Sequence, residues 1–135
     1  MEDVSSLKLA CVIARILDEK LGKNITILNI SHVSSFADYF VIVSGDVSTQ
    51  VKALTNAVKL RIKDYFSLLP YRAEQDIKNR WNLLDYGAVV VHILQKDERE
   101  NYAIEKFWNH AFSVSEEEWL NPRQEAETKK EAKVS

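Results

Sequence analysis

The stretch 81–94 is W-N-L-L-D-Y-G-A-V-V-V-H-I-L, and it contains two strand-like runs on either side of Gly87. Glycine adopts positive φ without steric cost, so this position favours a reversal of the chain. The second run, 88–94, is apolar on both faces except at His92. Because a strand that is apolar on both faces is normally covered on both, the stretch predicts a hairpin within a buried sheet that helices cover.

Helical and strand-like patterns alternate along the rest of the chain. Apolar residues at helical spacing predict helices over 4–21 and 47–66, and a third from Asp97 to Ala111. Gly22 is expected to end the first helix, and Ser48 to cap the second. Runs of β-branched and aromatic residues predict strands over 24–30, 39–44 and 71–74, in addition to the two arms of the hairpin. The predicted fold is therefore α/β, with a mixed sheet of about five strands sandwiched by helices.

Composition is typical of a single globular domain. The chain has 135 residues with 46% hydrophobic content, one cysteine and a formal net charge of −2. A lone cysteine favours a reducing compartment. The first residues resemble neither a signal peptide nor a transit peptide. We therefore expect a soluble, cytoplasmic protein without membrane association. Nucleic-acid binders usually have a basic face, and the mixed charges argue against nucleic-acid binding as the main activity.

The last part of the chain differs from the rest in composition. Beyond residue 112 the sequence becomes rich in charge and poor in apolar side chains, with Trp119 and Leu120 as the only expected anchor. Such composition is typical of mobile segments. We therefore expect a folded domain over 1–112 and a charged, mobile tail over 113–135.

Motifs for catalysis and for cofactors do not occur in this sequence. It contains no glycine-rich phosphate loop, no G-x-S-x-G elbow and no H-E-x-x-H helix. The histidines are far apart in the sequence, and no enzyme activity, cofactor or metal site is predicted. One rival hypothesis is a metal-dependent nucleotidyltransferase, in which Asp38 and Asp85 on neighbouring strands hold the metal. We prefer recognition, because acids beside an aromatic side chain suit a basic protein partner.

Four segments of this sequence resemble one protein family. They are S-S-F-A-D-Y-F-V-I-V-S-G (34–45), S-x-Q-V-x-A-L (48–54), W-N-L-L-D-Y-G-A-V-V-V-H (81–92) and R-x-x-Y-x-x-E-x-x-W (99–108). Together they resemble the ribosomal silencing factor family, also called RsfS or Iojap-like. The match runs from the first predicted helix to about Ala111.

The resemblance implies both a fold and a function. The fold would be related to the nucleotidyltransferase-like fold but without its catalytic acids. The function would be binding to the large ribosomal subunit at ribosomal protein L-fourteen, which sterically blocks joining of the small subunit and represses translation when nutrients are short. Organellar relatives act in assembly of the large subunit, and that role is the alternative function.

A partner-binding site follows from the resemblance together with the hairpin pattern. Its expected residues are Trp81, Leu83, Asp85, Tyr86, Glu74, Asp38 and His92. Two residues near this site depart from the family's usual pattern: Ala88 stands where the family commonly has an acid after D-Y-G, and Gln75 where an E-G pair is usual after Pro70. An apolar patch around Trp81 and Leu83 also predicts a weak homodimer.

Overall fold

The computed structural model describes residues 5–102 and 112–120 and places six strands in one mixed sheet. The helices are α1 (Ser6–Glu19), α2 (Ser48–Phe66), α3 (Lys96–Tyr102) and the short α4 (Glu116–Trp119). The strands are β1 (Lys23–Asn29), β2 (Tyr39–Gly45), β3 (Arg72–Glu74), β4 (Trp81–Asp85), β5 (Val89–Gln95) and β6 (Phe112–Val114). The mixed α/β class and all five predicted strands are confirmed, and β6 is a sixth strand that was not predicted.

The strand order places β5 and β2 at the centre of the sheet. The order is β3-β4-β5-β2-β1-β6, in which β2 and β5 are parallel and the other neighbouring pairs are antiparallel. The hairpin forms as predicted, with Gly87 at φ +85° and the Tyr86 N–H bonded to the Val89 carbonyl at 2.9 Å. In the described ranges no helix is both long and apolar enough to cross a membrane.

Each face of the sheet has its own apolar core. The first face packs against α1 and α2, and its fully buried residues include Ile27, Val41, Leu84, Val91 and Ile93. The second face, on the opposite side, buries Leu28, Ile30, Ala37, Ile42 and Leu94. Two-sided burial explains why β5 is apolar at almost every position, as its sequence indicated.

The end of α1 differs from the prediction that Gly22 would adopt the terminating conformation. Leu21 has the positive φ, +66°, and Gly22 follows it. The Gly22 N–H bonds to the Leu17 carbonyl and the Leu21 N–H to the Asp18 carbonyl, which is the Schellman arrangement. Glycine is required one position later for packing, because a Cβ on Gly22 would lie 2.6 Å from Val43 Cγ2.

The starts of α2 and α3 also differ from prediction. Val47 is the N-cap of α2, and Ser48 is its first helical residue. The Gln50 side chain accepts a hydrogen bond from the Asp46 N–H at 2.8 Å. A residue inside the helix thus fixes the backbone just before it. Helix α3 begins at Lys96, which places Asp97 within the first turn. The predicted apolar stripe over 103–111 lies outside the described residues.

The segment 112–120, most of which lies beyond the expected boundary at 112, packs against the rest of the fold. Strand β6 pairs with β1, and the Trp119 side chain is only 3% exposed in the first core. Ser115 caps α4, whose first turn consists of glutamates that are stabilised at a helix N-terminus. The Arg15 guanidinium on α1 also donates to the Leu120 carbonyl. The rest of the predicted tail, 121–135, lies outside the described residues.

Candidate functional site

The alternation of β4 places three of the predicted site residues on the second face of the sheet. Trp81, Leu83 and Asp85 are half-buried there, whereas Asn82 and Leu84 are fully buried on the first face. Side chains alternate between the two faces of a strand, and the order of residues along β4 gives the same division. The half-buried side chains are therefore partly accessible to a partner while the strand itself is anchored.

Strand register extends this set into rows across the second face. Leu83 is paired with Glu74 on β3 and with His92 on β5, so these three side chains form one row. Asp85 is paired with Arg72 on one side and Val90 on the other, which forms the next row towards the hairpin turn. The structure thus brings Glu74, Trp81, Leu83, Asp85 and His92 together, as predicted.

Tyr86 does not belong to this face. Its side chain is 7% exposed and packs in the first core, on the other side of the sheet. Burial raises the pKa of the Tyr86 hydroxyl to about 12. The structure therefore does not bring Tyr86 to the face that holds the other predicted contact residues.

His92 lies on the predicted face but beneath its surface. Its side chain is 7% exposed, and its Nδ1 accepts a hydrogen bond of 3.2 Å from the Trp81 indole N–H. The Phe40 ring packs edge-on against the imidazole, with the ring centroids 4.7 Å apart. Burial lowers the pKa of His92 to about 4, so the ring is neutral at pH 7. His92 therefore supports Trp81 from below.

The two aspartates singled out in the sequence do not adjoin each other. Asp85 belongs to β4 and Asp38 precedes β2, with β5 between these strands. Neighbouring strands are about 4.8 Å apart, so the two backbones are separated by about 10 Å. Asp85 Oδ1 accepts a hydrogen bond from the Gly87 N–H at 2.8 Å and so stabilises the turn. Within 5–102 and 112–120, no three His, Cys, Asp or Glu side chains come together in a way that could hold a metal ion.

Two exposed aromatic residues, Tyr71 and Phe36, were not predicted as site residues. Tyr71 precedes β3, is 84% exposed, and donates its N–H to the Asp85 carbonyl at 2.8 Å. Its ring lies against the hairpin turn, since a Cβ on Gly87 would lie 2.9 Å from it. Phe36, in the loop before β2, is 88% exposed. The position of Tyr71 at the start of the predicted strand 71–74 was the only sequence signal for it.

A cleft lies at the carboxyl ends of β2 and β5, apart from the face that holds Trp81. It is an open cleft of about 800 Å³, lined by residues that include Asn24, Thr26, Ser44, Arg99, Glu116 and Trp119. Arg99 is 8% exposed and its guanidinium donates to the Asn24 carbonyl, to Ser44 Oγ at 3.0 Å and to Thr26 Oγ1 at 3.0 Å. Because its donors are bonded to protein groups, Arg99 connects α3 to the sheet.

Comparison with known proteins identifies the relatives of this chain. The family model described as "RsfS: Ribosomal silencing factor during starvation" matches residues 3–135. The "Ribosomal silencing factor RsfS" of Bacillus subtilis is 37% identical over 111 residues, which is 82% of this chain and 91% of that protein. The protein of the same name from Halalkalibacterium halodurans is 33% identical over 82% of this chain and 94% of its own length. A crystal structure of a Chromobacterium violaceum protein superposes with a TM-score of 0.75 at 29% identity, covering 78% of this chain and 88% of that one.

Proposed function

The chain belongs to the ribosomal silencing factor family, and we propose from this premise that it binds the large ribosomal subunit and prevents the small subunit from joining. The proposed contact is ribosomal protein L-fourteen, and the proposed location is the cytoplasm. The single observation that carries the proposal is the second face of the sheet, where β4 presents half-buried Trp81 and Leu83 in line with Asp85. Family membership supplies the ribosome as the partner.

The charges on this face favour a basic partner. Glu74 is exposed at the outer strand, where Arg72 pairs with it at 3.1 Å, and Asp38 and Asp85 are half-buried further in. Trp81, Leu83 and Asp85 follow one another along this face of β4, so Trp81 and Leu83 provide apolar area next to polar groups. Opposite charges at an interface direct association and fix its register. A basic ribosomal protein would satisfy both the charges and the apolar centre.

Steric blocking requires affinity and bulk, and it requires no reaction. The two-sided core holds the sheet rigidly, so the second face is presented without a folding step. A rigid surface avoids the entropic cost of ordering on binding. This is consistent with a regulatory factor that acts by occupying a surface, and it is the reason for preferring that role to catalysis.

Subunit association provides the direct test. Large subunits pre-incubated with a saturating amount of the protein should give a lower yield of joined ribosomes when small subunits are added, measured by light scattering. The physical reason is competition for the joining surface. Pre-incubation with small subunits should lower the yield only through carry-over to large subunits. An unchanged yield at saturation would refute the proposed function.

We also propose that the free protein forms a weak homodimer through part of the same face. Half-buried Trp81 and Leu83 expose apolar area next to the short edge strand β3, and such patches usually find a partner. Light scattering over a concentration series should give a mass that rises from one copy towards two. Leu83→Glu, which adds charge to the patch, should hold the mass at one copy. A wild-type protein that stays monomeric at high concentration would rule this out.

A further inference from the structure

Helix α2 carries a stripe of lysines on one flank. Lys52, Lys59 and Lys63 are spaced by seven and four residues, which places them within an arc of about 40° and along about 16 Å of the helix. Arg61 faces a different flank, where its guanidinium pairs with Glu19 on α1 at 2.9 Å. The nearest acid along the helix, Asp64, is about 100° away from Lys63. The stripe therefore has no carboxylate of its own helix within it.

The loop between β3 and β4 exposes two more cations, Lys78 and Arg80. Its backbone is held by several hydrogen bonds. Asp76 Oδ2 accepts from the Lys78 N–H at 3.0 Å and from the Arg80 N–H at 3.2 Å. The Gln95 side chain donates to the Lys78 carbonyl at 3.1 Å. The two cations thus extend from a fixed loop, although the Asp76 carboxylate lies at its base.

Asn82 connects this loop to the lysine stripe. Its side chain is fully buried and donates to Asn79 Oδ1 in the loop at 3.1 Å and to Thr55 Oγ1 on α2 at 3.0 Å. Thr55 lies three residues after Lys52 and four before Lys59, and residues at these spacings are neighbours on a helix surface. The loop therefore lies beside the lysine stripe, and the cations of both elements form one basic surface.

We propose that this basic surface, formed by Lys52, Lys59, Lys63, Lys78 and Arg80, binds the phosphate backbone of RNA. Lysines suit phosphates as compact point charges, and they read no base sequence. The overall charge of −2 concealed this surface, because its cations come from two separate parts of the chain. The inference rests on the proposed function, since a ribosomal subunit presents RNA beside its proteins. The acidic second face would then contact protein while the basic surface contacts RNA.

A salt series with a labelled RNA duplex tests this surface directly. The triple variant Lys52→Gln, Lys59→Gln, Lys63→Gln keeps good helix formers at two exposed positions and one half-buried position, so the fold should be retained. Each phosphate contact contributes about one unit to the slope of log affinity against log salt concentration. Fluorescence anisotropy should show that the triple variant loses two to three units of this slope. Lys78→Gln with Arg80→Gln should lose about one to two more.

A matched control removes the same charge elsewhere. Lys20, Lys23 and Lys96 are exposed and lie outside the basic surface, so changing all three to glutamine should leave the slope nearly unchanged. Equal losses in the control and the stripe variant, or an unchanged slope in the stripe variant, would overturn the proposal. So would a stripe variant that binds the duplex normally but no longer co-sediments with large subunits, since the surface would then face an acidic protein. If the wild type fails to co-sediment, the proposed function is refuted, while the duplex series still decides this inference.

Discussion

Replacing Trp81 with alanine is expected to weaken binding to the large ribosomal subunit by about 30-fold to 1,000-fold. Tryptophan anchors lose roughly 2–4 kcal/mol on truncation, and about 1.4 kcal/mol corresponds to a tenfold change in affinity. Trp81 is half-buried on the face that we propose as the contact, and Leu83 and Asp85 follow it along the same face of β4. Its indole N–H is held by His92, so the ring is already oriented before binding. Co-sedimentation of labelled protein with purified large subunits measures the loss.

Stability must be measured on the same variant, because Trp81 also packs against the second core. A fully buried tryptophan would cost about 3–5 kcal/mol of the free energy of unfolding, and a half-buried one should cost less. Trp81→Phe is the matched control, since it keeps an aromatic ring on the face while it removes the hydrogen bond to His92 and part of the ring area. The phenylalanine variant should retain most of the affinity. A well-folded alanine variant that binds like the wild type would eliminate Trp81 as the anchor.

Burial on both faces made the central strands predictable. The apolar run of β5 and the glycine after β4 determined the hairpin, and the register confirmed it. Strand β6 was missed because three residues, Phe112–Val114, carry too little pattern, and because glutamates follow them. Those glutamates occupy the first turn of α4, where a helix N-terminus stabilises negative charge. The charged composition after residue 112 indicated a mobile tail. In the structure the Ser115 cap stabilises a folded helical turn in that segment.

Tyr86 was included among the expected contact residues for a different reason. Alternation along β4 places Tyr86 on the same face as Asn82 and Leu84, opposite Trp81, and the structure has the side chain buried there. The family resemblance nevertheless suggested it as a contact residue. Where the two arguments disagreed, the periodicity of the strand gave the right answer. The depth of His92 could not be predicted in this way, because it depends on which strands lie on either side of β5.

Arg99 and Asn82 show what sequence patterns cannot reveal. Arg99 donates to the Asn24 carbonyl and to hydroxyls on β1 and β2. Asn82 on β4 donates to the Thr55 hydroxyl on α2. Every residue has a backbone carbonyl, so no residue type in the sequence marks the carbonyl that Arg99 will bond. The bonded partners of Arg99 and Asn82 are also distant in the sequence. Buried polar groups of this kind are nonetheless hydrogen-bonded in nearly all folded proteins. Their roles therefore became visible only with the tertiary structure.

Acidification is expected to destabilise the protein through His92, with a loss of about 3 kcal/mol in the free energy of unfolding. Burial lowers the pKa of His92 from 6.5 to about 4 in the folded state. The unfolded chain therefore binds this proton more readily than the folded one. The contribution is fully present above pH 6.5 and is lost as the pH falls towards 4. Urea unfolding across this pH range measures it.

Burial disfavours the charged imidazolium of His92, and the geometry of the hydrogen bond with Trp81 acts in the same direction. Nδ1 of His92 accepts a hydrogen bond from the indole N–H of Trp81. A proton on Nδ1 would therefore place two N–H donors facing each other in a buried site. His92→Gln removes the titrating group, and the carboxylates that also titrate at low pH remain in both proteins. The difference in stability between wild type and variant should therefore shrink by about 3 kcal/mol on going from pH 7 to pH 4. Parallel stability curves for the two proteins would show that His92 is not held neutral beneath Trp81, and the orientation of the proposed anchor would then need another cause.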